Sequence, residues 1–84
     1  MKRYVQEAAN DCKRELRKLE QFALDTAQYY GLLTAEKEKE IRGEYAWKRD
    51  RVDEIVNQCQ YGYISDLTAV GLISAVMLDT VSLL

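Results

Sequence analysis

Cys12 and Cys59 carry the two thiols of this chain, and a thiol can act as a nucleophile or bind a metal ion. The sequence contains no histidine, so Cys–His and Ser–His pairs are excluded, and a zinc ion would have only these thiols and carboxylates as ligands. In the helical hairpin predicted below, the two thiols lie about 10 Å apart along the axis, too far for a disulfide bond or a shared metal ion. We therefore expect two buried, reduced thiols and no metal or cofactor.

The acidic residues and glycines form no catalytic pattern. Asp53 with Glu54, and the alternating acidic residues at positions 36, 38 and 40, lie on helix surface that we predict to be exposed. Neither burial nor a close like charge prepares them there for acid–base catalysis. The four glycines are widely scattered, so no glycine-rich loop is available to bind phosphate. The sequence predicts a protein that is not an enzyme.

Basic residues gather in two stretches, "CKRELRK" and "WKRDR". In a hairpin that turns near residues 32 and 33, position 14 lies opposite position 51 and position 17 opposite position 48. The two stretches would then form one basic band, which could bind an anionic ligand or a nucleic-acid backbone. The basic band consists of Lys13, Arg14, Arg17, Lys18, Lys48, Arg49 and Arg51.

The alternative for the basic band is neutralisation by neighbouring carboxylates. Glu44 and Lys48, for example, are one helical turn apart, and such pairs stabilise a helix by about 0.2 to 0.5 kcal/mol each. The formal net charge is −2, which gives no overall attraction to nucleic acid. A solvated lattice of ion pairs is therefore the preferred interpretation of the basic band.

Trp47 is the residue that most suggests a binding surface. It lies about 140° around its predicted helix from Val52, away from the apolar stripe, and Gly43 precedes it by one turn. Because tryptophan is enriched at binding hot spots, we predict a protein-binding surface formed by Trp47, Gly43, Glu40, Glu44 and Arg51. The alternative is that a third helix folds over this side and buries the ring.

Two similar phrases, "YYGLLTAEK" and "QYGYISDLT", divide the chain into three helices. In each phrase a glycine suited to a helix C-terminus is followed by a threonine or serine suited to the next N-cap. The chain lacks proline, and its apolar residues recur at spacings of three and four. We predict one all-α domain over residues 1–84, with helices at about 2–30, 35–61 and 66–82. The first two form a long antiparallel hairpin, and the third is a C-terminal apolar helix.

The third helix is apolar over most of its circumference. One face carries Leu67, Val70, Ile73, Met77, Val81 and Leu84, which we expect to pack on the hairpin. The other side carries Leu72, Val76 and Leu83, which we expect to mediate self-association. A membrane span is disfavoured because Asp66 and Asp79 interrupt the segment and no basic residue flanks it. No secretory signal is visible, so we expect a cytoplasmic protein.

The stretches "NQCQYGYISDLTAVGLI" and "YVQEAANDCKRELRKLE" resemble parts of small helical proteins encoded by bacteriophages and mobile elements. That class includes anti-CRISPR and other counter-defence proteins. The resemblance implies an inhibitor or adaptor that occupies the surface of a host protein, and it assigns no individual site residues. The sequence as a whole therefore predicts a non-enzymatic protein that acts by protein–protein contact. The alternative is a nucleic-acid or anionic-nucleotide binder that uses the basic band.

Overall fold

The computed structural model describes the backbone of residues 1–82 and the side chains of residues 1–80. This part of the chain forms three helices and no strand: α1 (Arg3–Tyr29), α2 (Ala35–Gln60) and α3 (Asp66–Ser82). The molecule measures 46 × 18 × 17 Å, in line with the length of α1 and α2. The predicted all-α class is confirmed, and each helix boundary lies within a residue or two of its expected position.

Each connection between helices is a tight turn with the same hydrogen bonds. In the first joint (residues 30–34), Gly31 has φ 70°, the Leu32 amide donates to the Ala27 carbonyl (2.8 Å), and the Gly31 amide donates to that of Gln28 (3.0 Å). This pair of bonds is the Schellman motif, which needs a left-handed residue just past the helix end. Thr34 then caps α2, because its Oγ1 accepts the Lys37 amide at 3.0 Å.

The second joint (residues 61–65) repeats this arrangement. Gly62 has φ 83°, and the amides of Tyr63 and Gly62 donate to carbonyls of the last turn of α2 at 2.9 and 3.1 Å. The Ser65 Oγ accepts the Thr68 amide at 3.1 Å and so caps α3. The repeated phrase in the sequence therefore encodes two chain reversals of the same kind.

The core runs along the line where the three helices meet. Side chains with spacings of three and four on each helix supply it: Val5, Ala9, Cys12 and Leu16 from α1, Tyr45, Val52, Ile55 and Cys59 from α2, and Ala69 and Ile73 from α3. Burying a side chain such as Leu16 or Ile55 completely contributes about 1.5 to 3 kcal/mol. Lys13 contacts Asp53, and Glu20, which comes later in α1, contacts Arg49, which comes earlier in α2. The two helices therefore run antiparallel.

The inward face of α3 differs from the predicted one. Of the predicted face, Ile73 is buried and Val70 and Met77 pack against the core, but Leu67 is 79% exposed. Ala69 and Thr80, which were not predicted, are buried as well. Polar contacts near both ends explain this rotation: Asp66 accepts a hydrogen bond from the Cys59 thiol, and Thr80 accepts one from Lys48. Turning Asp66 toward α2 carries Leu67, about 100° further around the helix, out to solvent.

The residues proposed for self-association are also placed differently. Leu72 and Val76 are partly buried and pack against the core of their own chain, so they do not form a free outer face. The physical reason is that α3 lies against both α1 and α2, which cover a wider arc than one neighbouring helix would. Leu83 and Leu84, and the side chain of Val81, lie outside the described residues. Within residues 1–82, no helix is both long and apolar enough to cross a membrane.

Candidate functional site

The two basic stretches lie side by side, and three ion pairs cross between their helices. Lys13 Nζ lies 2.9 Å from Asp53 Oδ1, and Arg49 Nη1 lies 2.6 Å from Glu20 Oε1. The Glu20 side chain is only 12% exposed, and it also lies 3.5 Å from Arg42 Nη1. Partial burial strengthens such pairs relative to exposed ones. Glu20 therefore holds α1 to α2 in the middle of the hairpin, a role that we did not predict.

Further residues of the basic band pair with carboxylates on their own helix. Lys18 lies 3.3 Å from Glu15, Arg51 lies 3.4 Å from Glu54, and Arg14 pairs with Asp11. All three pairs join residues three positions apart on exposed helix surface, where each contributes a few tenths of a kcal/mol, about 0.2 to 0.5. An anionic ligand would have to displace carboxylates that already occupy these side chains.

Lys48 is the one residue of the basic band that is buried, with 8% of its surface exposed. Its Nζ donates to Thr80 Oγ1 at 2.9 Å, and that hydroxyl donates to the Val76 carbonyl at 2.9 Å. The Nζ also lies 5.8 Å from the centroid of the Tyr45 ring, which is within cation–π range. The predicted pair between Glu44 and Lys48 is wrong, because Lys48 points inward to bond α3.

Trp47 lies at the rim of a groove between α2 and α3. The ring is 67% exposed, so α3 does not cover it, although Val76 and Asp79 of α3 form the opposite wall. The groove has a volume of about 380 Å³, and it is lined by Glu44, Trp47, Lys48, Arg51, Val76 and Asp79. This Trp47 groove is large enough to receive one or two side chains of a partner protein, at the low end of binding-pocket volumes.

The surface one turn before Trp47 is open. A Cβ atom at Gly43 would meet no other atom within 4 Å, so the glycine leaves the flank of the ring unobstructed. Glu40, which we predicted to belong to this surface, lies 3.8 Å from Lys37, and Arg51 pairs with Glu54. Glu44, in contrast, has no ion pair among the described residues. Glu44 is therefore an acidic group beside Trp47 that no ion pair in the described part of the chain neutralises.

Both thiols are buried and poorly suited to nucleophilic chemistry. Burial raises the pKa of Cys12, whose Sγ lies 3.9 Å from both the Ile73 carbonyl and the Met77 sulfur. The pKa of Cys59 is raised mainly because its thiol donates to Asp66 Oδ1 at 3.0 Å. A raised pKa keeps the thiolate scarce at neutral pH. Among the described residues, no group of three or more Cys, Asp or Glu side chains could hold a metal ion.

Sequence reasoning missed the α3 side of this region, namely Val76, Asp79 and Thr80. One signal was available: Lys48 interrupts the apolar stripe of α2, and Thr80 falls on the apolar face of α3, three and four residues after Met77 and Val76. Single polar residues on two apolar faces are candidates to bond each other, because buried polar groups need partners. No such signal marks Val76 or Asp79.

The comparisons with known proteins add no family to this description. No protein-family model, curated protein sequence or solved structure matches the chain.

Proposed function

We propose that this chain is a small, non-enzymatic protein that binds another protein through the Trp47 groove. The observation that carries the proposal is a tryptophan ring that is two-thirds exposed beside an open groove. Leaving so large an apolar ring in water is unfavourable in the free molecule, and covering it is favourable in a complex. Tryptophans in such positions are enriched among residues that dominate binding energy.

Charge indicates the chemistry of the partner. Lys48 is buried and Arg51 is paired with Glu54, whereas Glu44 at the groove has no ion pair in the described part of the chain. A partner surface that offers an apolar side chain flanked by lysine or arginine would complement the groove. The resemblance to phage and mobile-element proteins supports a setting in the host cytoplasm, where the chain would act as a counter-defence inhibitor or adaptor.

The alternative proposal, anion binding by the basic band, has less support. Five of its seven residues lie within 3.4 Å of a carboxylate, and a sixth, Lys48, is buried against Thr80. Arg17 is the remaining member, and it has no ion pair among residues 1–80. Binding a phosphate would therefore exchange existing ion pairs for new ones, with little net gain in free energy.

The proposal is tested by placing a photo-cross-linking residue at position 47 and, as a matched control, at Tyr63. Tyr63 is 80% exposed but lies at the second joint, away from the groove. In host cells we expect one defined protein adduct from position 47 that is absent from position 63. With that protein purified, Trp47→Ala should weaken binding by about 30-fold or more, equivalent to about 2 kcal/mol, and Tyr63→Ala should not.

Circular dichroism should show an unchanged helical fold in Trp47→Ala, because the ring is mostly exposed. Unaltered affinity in Trp47→Ala would overturn the proposal. Binding that instead weakens steeply with added salt and disappears in Arg14→Glu with Arg51→Glu would favour the basic band.

A further inference from the structure

The outward face of α3 is an uncharged strip that no other part of the described chain covers. Leu67 and Leu78 are 79% and 68% exposed, and Gly71 and Ser74 between them are exposed as well. These four residues lie opposite the buried face of α3 described above. The two acidic residues of α3 point elsewhere, since Asp66 bonds Cys59 and Asp79 lines the Trp47 groove. The outer strip is defined here as Leu67, Gly71, Ser74 and Leu78.

The spacing within the outer strip is symmetrical. Leu67 and Leu78 are equally distant from the midpoint between residues 72 and 73, and so are Gly71 and Ser74. When two identical helices cross antiparallel about a two-fold axis at that midpoint, Leu67 faces Leu78 of the other copy, and Gly71 faces Ser74. Large apolar residues then meet at both ends, and small residues meet at the crossing point.

From this self-complementary spacing, we propose that the outer strip binds a second copy of this chain in an antiparallel, two-fold symmetric pair. A two-fold interface requires that the same patch be complementary to itself, which a surface for a foreign partner does not need to be. A Cβ atom at Gly71 would meet nothing within 4 Å, so the backbone at the crossing point is open to close approach. Small residues there allow the axes to lie near the short end of the usual range, about 8 to 10 Å.

The size of the outer strip determines the strength of the pair. A standard interface uses about 20 to 30 residues on each side, and α3 has 17 residues, of which one face is available. The pair is therefore a concentration-dependent dimer, with a dissociation constant in the micromolar range or weaker. It uses a face of α3 different from the one that lines the Trp47 groove, so partner binding and pairing are separable.

Cross-linking of two single-cysteine additions tests the antiparallel register. Leu67→Cys and Leu78→Cys are prepared as separate full-length proteins and treated with a short bismaleimide, alone and as an equimolar mixture. We expect several-fold more cross-linked dimer in the mixture, because position 67 of one copy lies opposite position 78 of the other. Two copies of position 67 would be about 16 Å apart along the axis. The unmodified chain is the control, since Cys12 and Cys59 are buried.

Equal yields from the mixture and from each variant alone would indicate random collision and overturn the proposal. Higher yields from each variant alone would indicate a parallel pair and would also overturn it.

Sedimentation velocity over a range of concentrations tests pairing without cross-linking. The unmodified chain should shift from monomer to dimer, and Ser74→Arg should remain monomeric, because it places bulk and like charge near the two-fold axis. Ser74 is exposed, and arginine is a good helix former, so the helical fold should be unchanged. A chain that stays monomeric throughout, or a dimer that Trp47→Ala disrupts while Ser74→Arg does not, would overturn the proposal. Partner capture at position 47 should persist in Ser74→Arg.

Discussion

The two joints have the same turn geometry but different ties to the rest of the molecule. Both have a left-handed glycine, a Schellman pair of hydrogen bonds and a hydroxyl N-cap. At the second joint, however, Asp66 also accepts hydrogen bonds from the Cys59 thiol (3.0 Å) and from the Lys2 amide (3.3 Å). The corresponding positions at the first joint are Ala35 and Gln28, which form no such bridge.

This difference shows that the local sequence specifies the turn, whereas a single residue, Asp66, determines whether the turn is hydrogen-bonded to neighbouring elements. Asp66 connects the start of α1, the end of α2 and the start of α3 at one point. Among the described residues, no hydrogen bond ties the first joint to a third helix. The second joint should accordingly be more sensitive to a single substitution.

The largest expected effect at either joint is that of Asp66→Ala, which gives the second joint the residue found at the first. It removes both hydrogen bonds and leaves the Cys59 thiol without its acceptor. We expect the melting temperature, measured by circular dichroism, to fall further in Asp66→Ala than in the other joint variants described below.

Glu36→Ala is the matched control for Asp66→Ala. It removes a first-turn carboxylate at the first joint, which loses only the favourable interaction with the helix dipole, about 0.3 to 1 kcal/mol. Equal losses of stability in the two variants would show that the bridge through Asp66 contributes nothing.

A smaller effect, equal at both joints, is expected for Gly31→Ala and Gly62→Ala. An alanine at a positive φ costs about 1 to 2 kcal/mol, and the space around both glycines is open, so no clash adds to this cost. Denaturant unfolding should give the same loss for both variants. Gly43→Ala, inside α2, is the control of opposite sign and should gain about 0.5 to 1 kcal/mol. Unequal losses at the joints would contradict their equivalence.

The smallest expected effect, but the most specific, is the change in stability with pH that the second joint causes. The hydrogen bond from Cys59 holds the pKa of Asp66 below its ordinary value of 3.8. Its stabilisation is therefore present above pH 3.8 and is lost as the pH falls through the lowered pKa. The pKa of Cys59 is raised above its ordinary value of 9.0 mainly by its bond to Asp66. The stabilisation from this bond is therefore present below pH 9.0 and is lost as the pH rises through the raised pKa.

Melting temperatures of the unmodified chain and of Asp66→Ala, recorded across this range, isolate the bridge. The difference between the two melting temperatures should be largest between pH 3.8 and pH 9.0 and should become smaller below and above this range. Burial also raises the pKa values of Cys12 and Tyr45, which causes a loss of stability at high pH. That loss occurs in both proteins and therefore cancels from the difference in melting temperature. A constant difference at all pH values would exclude an electrostatic contribution from the bridge.

The sequence was sufficient for the parts of the fold that depend on nearby residues. Glycine followed by threonine or serine located both joints, and the recurrence of apolar residues at spacings of three and four indicated the helices. Antiparallel pairing of α1 and α2 then placed the two basic stretches together, as the contacts of Lys13 with Asp53 and of Arg49 with Glu20 show.

The rotation of α3 was not predictable in the same way. Apolar residues occur all around this helix, so periodicity alone does not select the inward face. The selection comes from Asp66 and Thr80, whose partners Cys59 and Lys48 lie 7 and 32 residues away. The groove at Trp47 depends on this rotation, because Val76 and Asp79 form its second wall only when α3 is turned this way. Helical spacing on α2 therefore identified Trp47 but not its surroundings.

The unequal lengths of the helices have a consequence for motion. As far as it is described, α3 is nine residues shorter than α2, and Thr80, near its described end, contacts Lys48 in the middle of α2. In the described part of the chain, α1 and α2 extend past the end of α3 as a pair, and Leu24 is the only buried residue between positions 17 and 44. Phe22, Tyr29, Tyr30 and Leu32 remain exposed there. Because it has so few buried contacts, the two-helix half of the molecule can unfold locally and refold while the three-helix half stays folded.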